Sequence, residues 1–247
     1  MNILKLEWFK LYKRKSTKVL MIIYSSVLIL QSFFYYYSEQ SLGMNLFSAG
    51  QFTISSLKIM MAFILPFICL YIASNSFAQD LGRGTIKNML LLPVSKGHLF
   101  YGKLVGVQCL IGVLLSIQFV YTMTVGLVMD GGVSFVVVGS YLGHYLGAFL
   151  ILGLVNSLGA LYYLLFSSAG LALLMTYLTY MAMTIAGIYI PQIKVISLGR
   201  IIQSYGTLLT QYNSTLLLSV IAYYILLITA GTFLFESKAT KQIIEFE

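Results

Sequence analysis

Apolar runs about as long as a bilayer is thick alternate along this chain with short polar breaks. A helix needs about 20 mostly apolar residues to cross the hydrocarbon core, and six windows meet that length: 19–37, 57–77, 104–129, 133–164, 169–188 and 215–235. The first closes on Tyr35, Tyr36 and Tyr37, an aromatic belt suited to a membrane interface. Pro66 predicts a kink in the second, and Lys58 can snorkel at its end. Asp130-Gly131-Gly132 predicts a tight turn after the third. From Val133 to Ile190, 58 residues pass without one Asp, Glu, Lys or Arg, so two helices must share them, and Ser167-Ser168 is the best turn between. Pro191, Lys194 and Arg200 mark 189–214 as an extracellular or re-entrant segment, and 236–247 reads as a short tail. The expectation is an all-α polytopic membrane protein, one transmembrane domain with six spanning helices.

Two polar flanks change this picture. In residues 1–18, Leu4, Trp8, Leu11 and Tyr12 share one side at helical spacing, while Lys10, Lys13 and Arg14 gather mostly opposite. That predicts an elbow helix in the headgroup region, anchored by the single tryptophan. A signal peptide is disfavoured, because the apolar run that follows is long and carries no small-residue cleavage site. Residues 78–103 form the longest polar interruption. Within it Ile86, Met89 and Leu90 fall on one helical face, with Arg83, Lys87 and Asn88 elsewhere. Gly82 and Gly84 loosen the entry, and Pro93 ends the helix by disfavouring the α conformation at Leu92. Two readings stand: a short helix that docks a soluble partner, or a solvated loop against lipid headgroups.

Composition excludes a water-soluble fold. The 247 residues are 59% hydrophobic and 9% charged, where a soluble domain carries about 25% charged residues; the mean hydropathy is +0.90. The net charge of +8 does not indicate nucleic acid, since no basic groove with stacking aromatics is present. Six Lys and Arg residues precede Val19, four lie in the central stretch and two in the tail, against Lys58, Lys194 and Arg200 on the other side. That bias predicts both termini and 78–103 in the cytoplasm. Cys69 and Cys109 both fall inside spans and predict no structural disulfide. No internal repeat supports an inverted-repeat transporter.

Catalytic chemistry has no foothold. Gly97 to Lys103 has the G-x4-G-K spacing of a phosphate loop, but Leu104 stands where Ser or Thr would bind magnesium, and a membrane helix begins there. His98 and His144 form no metal motif, and no clustered carboxylates occur, so neither a metal site nor an intramembrane protease is expected. His144 lies within the fourth span, where ionisable groups are rare. Gly139, Gly143 and Gly147 flank it at four-residue spacing and predict close helix packing. His144 then reads either as a neutral imidazole hydrogen-bonded across a tight helix pair or as part of a substrate path. Gln108, Gln118 and Asn156 pose the same choice.

With these residues in view, the central stretch resembles the ABC-2 type permeases, the six-span membrane subunits of bacterial ATP-binding cassette exporters. Their segment between spans two and three resembles an acidic residue, Gly-Thr, a leucine run, Pro, a small polar residue, a basic residue and a later basic residue. Here these are Asp80, Gly84, Thr85, Leu90 to Leu92, Pro93, Ser95, Lys96 and Lys103. Asp stands for the commoner Glu, and Lys for the commoner Arg.

The resemblance implies a bacterial plasma-membrane half-transporter, pairing with an identical or homologous permease and two cytosolic ATPase subunits. ATP and Mg would be bound by those partners, with no cofactor or catalytic residue on this chain. A coupling helix would contact the ATPase through Asp80, Arg83, Gly84, Thr85, Ile86, Lys87, Met89, Leu90, Pro93 and Lys96. Within the family the chain is similar to small Gram-positive permeases for export of, or immunity to, antimicrobial and amphipathic peptides. Drug, ion or lipid-linked substrates share that frame. A scaffold or sensor that merely docks a cytosolic partner is the alternative from another class.

Overall fold

The computed structural model describes residues 3–42, 52–82, 95–130, 135–190, 197–210 and 214–244, and all its regular elements are helical. The chain runs α1 (Ile3–Lys13), α2 (Lys15–Leu42), α3 (Phe52–Ile59), a π-helical turn (Met60–Ile64), α4 (Leu65–Gly82), α5 (Lys96–Asp130), α6 (Phe135–Phe166), α7 (Ala169–Tyr189), α8 (Leu198–Gln203), α9 (Tyr205–Thr210) and α10 (Ser214–Ile244). Six of the helical stretches are long and apolar enough to cross a bilayer, as the six apolar windows predict.

Helix ends depart from those windows for local reasons. α3, the π turn and α4 are continuous, so the second span begins at Phe52 rather than Leu57. Pro66 sits just after the π turn, where the Leu65 amide donates five residues back to the Met60 carbonyl. A proline cannot donate to the helix ladder, and the widened turn absorbs that loss. α10 continues to Ile244, past the apolar window that ends at Phe235. At 1.5 Å per residue its 31 residues reach about 46 Å, well beyond a core of about 30 Å, so its last turns project from the membrane.

α6 is the axis of the molecule. It packs against α4, α5, α7, α9 and α10, and its span and that of α3–α4 are mostly buried, whereas α2, α7 and α10 are mostly exposed. Small residues make this crowding possible. Gly147 faces the Tyr205 carbonyl of α9 with no room for a side chain, and Gly153 faces the Tyr224 hydroxyl of α10 in the same way. Side chains from neighbours then hold the carbonyls of α6: Gln108 Nε2 donates to Phe149 at 2.6 Å, Tyr224 to Leu150 at 2.5 Å and Cys69 to Leu152 at 3.3 Å. In a hydrocarbon surround such interhelical bonds contribute about 0.6 kcal/mol each. The segment 197–210 folds onto this axis, with Leu198, Ile201, Ile202, Tyr205 and Leu208 buried.

Candidate coupling site at the helix base

The ends of α4 and α6 and the beginnings of α2, α5 and α7 meet α1 and the projecting end of α10 on one side of the bundle, the base. Phe77 lies near the end of α4, Phe100 in the first turns of α5, and Phe235 late in α10; all three are fully buried. Their ring centroids are 5.6 Å (Phe77–Phe100), 5.7 Å (Phe100–Phe235) and 6.3 Å (Phe77–Phe235) apart. Aromatic pairs at such spacing add about 0.5–1.5 kcal/mol each beyond the area they bury. Gly231, one turn before Phe235, admits the Phe100 ring, since a Cβ there would stand 2.6 Å from Phe100 Cζ.

A buried ion pair joins α1 to the same place. Glu7 Oε2 lies 3.5 Å from Lys103 Nζ, and both side chains are 1% exposed. Lys10 Nζ approaches the other carboxylate oxygen at 3.5 Å, and Lys103 Nζ stands 5.8 Å from the centre of the Phe77 ring. Gly106, one turn after Lys103, leaves space for Glu7, whose Cβ would be 3.2 Å from a Cβ at that glycine. This contact corrects the expected face of α1. Leu11 and Glu7 point inward and Trp8 is half-buried, while Leu4 and Tyr12 are exposed. An unpaired buried charge costs far more than an exposed leucine, so the pairing of Glu7 sets the helix rotation.

The start of α5 is capped and tied down. Ser95 Oγ accepts from the His98 amide at 3.4 Å and bonds the His98 ring at 2.6 Å, an N-cap arrangement. Lys96 Nζ donates to Thr240 Oγ1 of α10 at 2.9 Å. Lys238 donates to Ser167, which takes the left-handed φ of 58° at the turn between α6 and α7. Arg14 donates to the Asn75 carbonyl at 3.5 Å.

Among the residues expected to contact an ATPase, Asp80 belongs to the last turn of α4, its side chain lying outside the described residues, and Lys96 opens α5. Arg83, Gly84, Thr85, Ile86, Lys87, Met89, Leu90 and Pro93 lie outside the described residues. The base holds the two helices that flank that stretch, α4 at Phe77 and α5 at Lys96 and Phe100.

The expected substrate-path residues are distributed over separate helix contacts. Gln108 and Asn156 both tie α5 to α6, the latter donating to the Leu104 carbonyl at 2.9 Å. Among the described residues, His144 makes its hydrogen bond within its own helix and not across a helix pair. Its Nδ1 donates 2.8 Å to the Ser140 carbonyl of its own helix, and its ring edge covers Gly206 of α9. An imidazole that can reach the carbonyl four residues back satisfies itself locally and leaves its edge for packing. Of the glycine stripe, Gly147 is locked against Tyr205, Gly143 stands 3.2 Å from the Thr210 methyl measured at its would-be Cβ, and Gly139 faces open space.

Gln118 belongs to a buried polar chain that the apolar windows conceal. Tyr24 donates to Gln118 Oε1 at 2.5 Å, Gln118 Nε2 to Ser56 at 3.4 Å, and Ser56 to Gln31 Oε1 at 2.7 Å, joining α2, α3 and α5. Gln31 and Gln118 are amides within otherwise largely apolar windows, and that is the signal the sequence offers. Gln118→Leu removes two bonds of this chain, leaving Ser56 with Gln31 and Tyr24 with the longer 3.4 Å bond to the Leu114 carbonyl, and it is expected to cost about 1 kcal/mol, read as a lower thermal midpoint in detergent.

Residues 3–177 match the family model described as ABC-2 family transporter protein, well over half of the chain. No curated protein matches the chain. Such permeases cross the membrane several times, work with a partner ATPase subunit and carry no ATPase site of their own. The match takes in α1, the first four spans, both flanks of 83–94 and the start of α7, and by it the chain belongs to the ABC-2 family of transporter membrane proteins, as the permease subunit of an ABC transporter.

Proposed function

We propose that this permease moves an amphipathic or antimicrobial peptide, for export or for immunity, using ATP hydrolysed on two separate cytosolic subunits. A second permease, identical or homologous, completes the pathway, and both termini face the cytoplasm. The stretch 78–103 docks the ATPase pair, with Asp80, Arg83, Gly84, Thr85, Ile86, Lys87, Met89, Leu90, Pro93 and Lys96 at the contact. The observation that carries this reading is the clamped base: both flanks of the stretch are anchored in buried rings and an ion pair, so a push there reaches the spanning helices instead of dissipating in a loop. A peptide substrate is supported by the apolar spans, which offer greasy, nearly uncharged surfaces. One groove between α5 and α6, about 450 Å³, is lined by Val113, Phe119, Leu142, Leu146 and Phe149 among others.

Met89→Asp combined with Leu90→Asp places two charges on the docking face. The double variant is expected to lose co-purification of the ATPase while the permease itself stays folded. Full retention of the complex would refute docking through this stretch. For the substrate, the purified complex in vesicles is expected to drive a cationic amphipathic peptide across the bilayer on addition of ATP. Docking with ATP turnover but no movement of any peptide would instead favour another cargo or a scaffold.

A further inference from the structure

The base is a core of its own. Phe77, Phe100, Tyr163, Leu164, Ala172 and Phe235 belong to a buried cluster separate from the main core between the spans. Its members come from α4, α5, α6, α7 and α10, so every helix that could receive a push at 83–94 touches it. These helices are not equally free to respond. α4 and α6 are mostly buried along their spans, while most of α7 and of α10 faces outward, and of those two only α10 puts a ring into the cluster, Phe235 against Phe100. Close-packed helices resist displacement because each shift opens voids or clashes, and a helix with few buried contacts yields first.

α10 also has a fixed point. The Tyr224 hydroxyl bonds the Leu150 carbonyl of α6 at 2.5 Å and sits against Gly153, where no side chain fits. Tyr224 is eleven residues from Phe235, about 16 Å along the helix. A push received at Phe235 therefore acts at some distance from an anchored pivot. The Phe100 ring cannot give way toward α10, because it already fills the notch at Gly231.

We infer that Phe100, Gly231 and Phe235 are positioning residues that carry a displacement of 83–94 into α10, which swings about Tyr224. The inference rests on the proposed docking of an ATPase at 83–94 and adds the route and the helix that moves. Lys103, poised over Phe77 while paired to Glu7, brings α1 into the same joint.

The test uses the complex with its ATPase in lipid nanodiscs, in a Cys109→Ser background, since Cys109 is exposed and Cys69 buried. Spin labels at Ile22→Cys on α2 and Phe233→Cys on α10, both highly exposed, report on α10. A second pair, Ile22→Cys with Phe67→Cys, reports on α4. Trapping with ATP and vanadate is expected to shift the α10 distance distribution. Phe235→Ala, which empties the joint, and Gly231→Ala, which crowds Phe100 without leaving a cavity, each abolish that shift while ATP hydrolysis and ATPase retention persist. Phe235→Leu, which refills the space, restores it. Persistence of the α10 shift in either alanine variant overturns the inference. So does a wild-type shift seen at α4 but not at α10, a result that leaves the docking proposal standing. A bound ATPase whose nucleotide moves neither pair also overturns the inference, whereas an ATPase that never binds overturns the docking proposal itself.

Discussion

Lys103→Met lowers the thermal midpoint of the permease by roughly 6–12 °C, the expected outcome of taking from Glu7 its buried partner and leaving it only the half-exposed Lys10. Breaking a buried ion pair from one side costs about 3–5 kcal/mol, because the remaining charge keeps its desolvation penalty and loses its partner. For a chain of this size each kcal/mol corresponds to about 2–4 °C, and the lower end of that cost sets the range given. Glu7 and Lys103 are each 1% exposed, so solvent cannot substitute for the lost partner. Glu7→Gln produces a fall in the same direction. The two together recover most of the loss, since an amide and a thioether carry no charge to strand. A scanning-fluorescence series on the four proteins checks this, and additive losses in the double variant would contradict the pairing. The effect extends to α1, whose inward face is Glu7 and Leu11. In Lys103→Met that helix is expected to become accessible to protease at Lys10 and Lys13.

Gly147→Ala is expected to be the most damaging single methyl in the spanning region. A Cβ there collides with the Tyr205 backbone carbonyl, which cannot rotate aside as a side chain would. Overpacking of this kind costs about 1–3 kcal/mol when neighbours adjust, and here α9 must move as a whole. The control lies two turns earlier on the same helix. Gly139 has open space around its would-be Cβ, and Ala is favoured over Gly in a helix by about 0.8–1.0 kcal/mol, so Gly139→Ala is neutral or mildly stabilising. Gly143→Ala falls between, against a methyl of Thr210 that can turn away. Folded yield by size-exclusion chromatography and the thermal midpoint rank the three. Equal behaviour across the stripe would mean that α9 does not pack on α6 as described.

The glycine stripe shows where reading the chain stops. Spacing by four identifies one face of one helix, and that much is local geometry. Which glycine is in contact depends on where α9 crosses, and α9 is six residues set by a turn some sixty positions later in the chain. His144 shows the same limit, for its choice between an interhelical bond and the Ser140 carbonyl turned on a neighbour, Gly206, that has no side chain to offer. The N-terminal helix was legible as a helix with a cationic side, but its rotation was not, because Glu7 looks like any surface acid until Lys103 is brought to it.

The chain alone determined that this is an all-α protein with six spans, because the need to satisfy backbone hydrogen bonds in hydrocarbon makes helix length and apolarity a local, additive requirement. It also marked 78–103 as the longest polar break between spans. Only the tertiary structure decided which residues make the base rigid. Phe77 and Phe235 close two apolar windows and Phe100 stands in the polar break, with nothing in their spacing to pair them, and ring contacts at 5.6–6.3 Å arise only when three distant helix ends converge. Lipid and protein core are equally apolar, so hydrophobicity can place a residue in the membrane but cannot say which other residue it will touch.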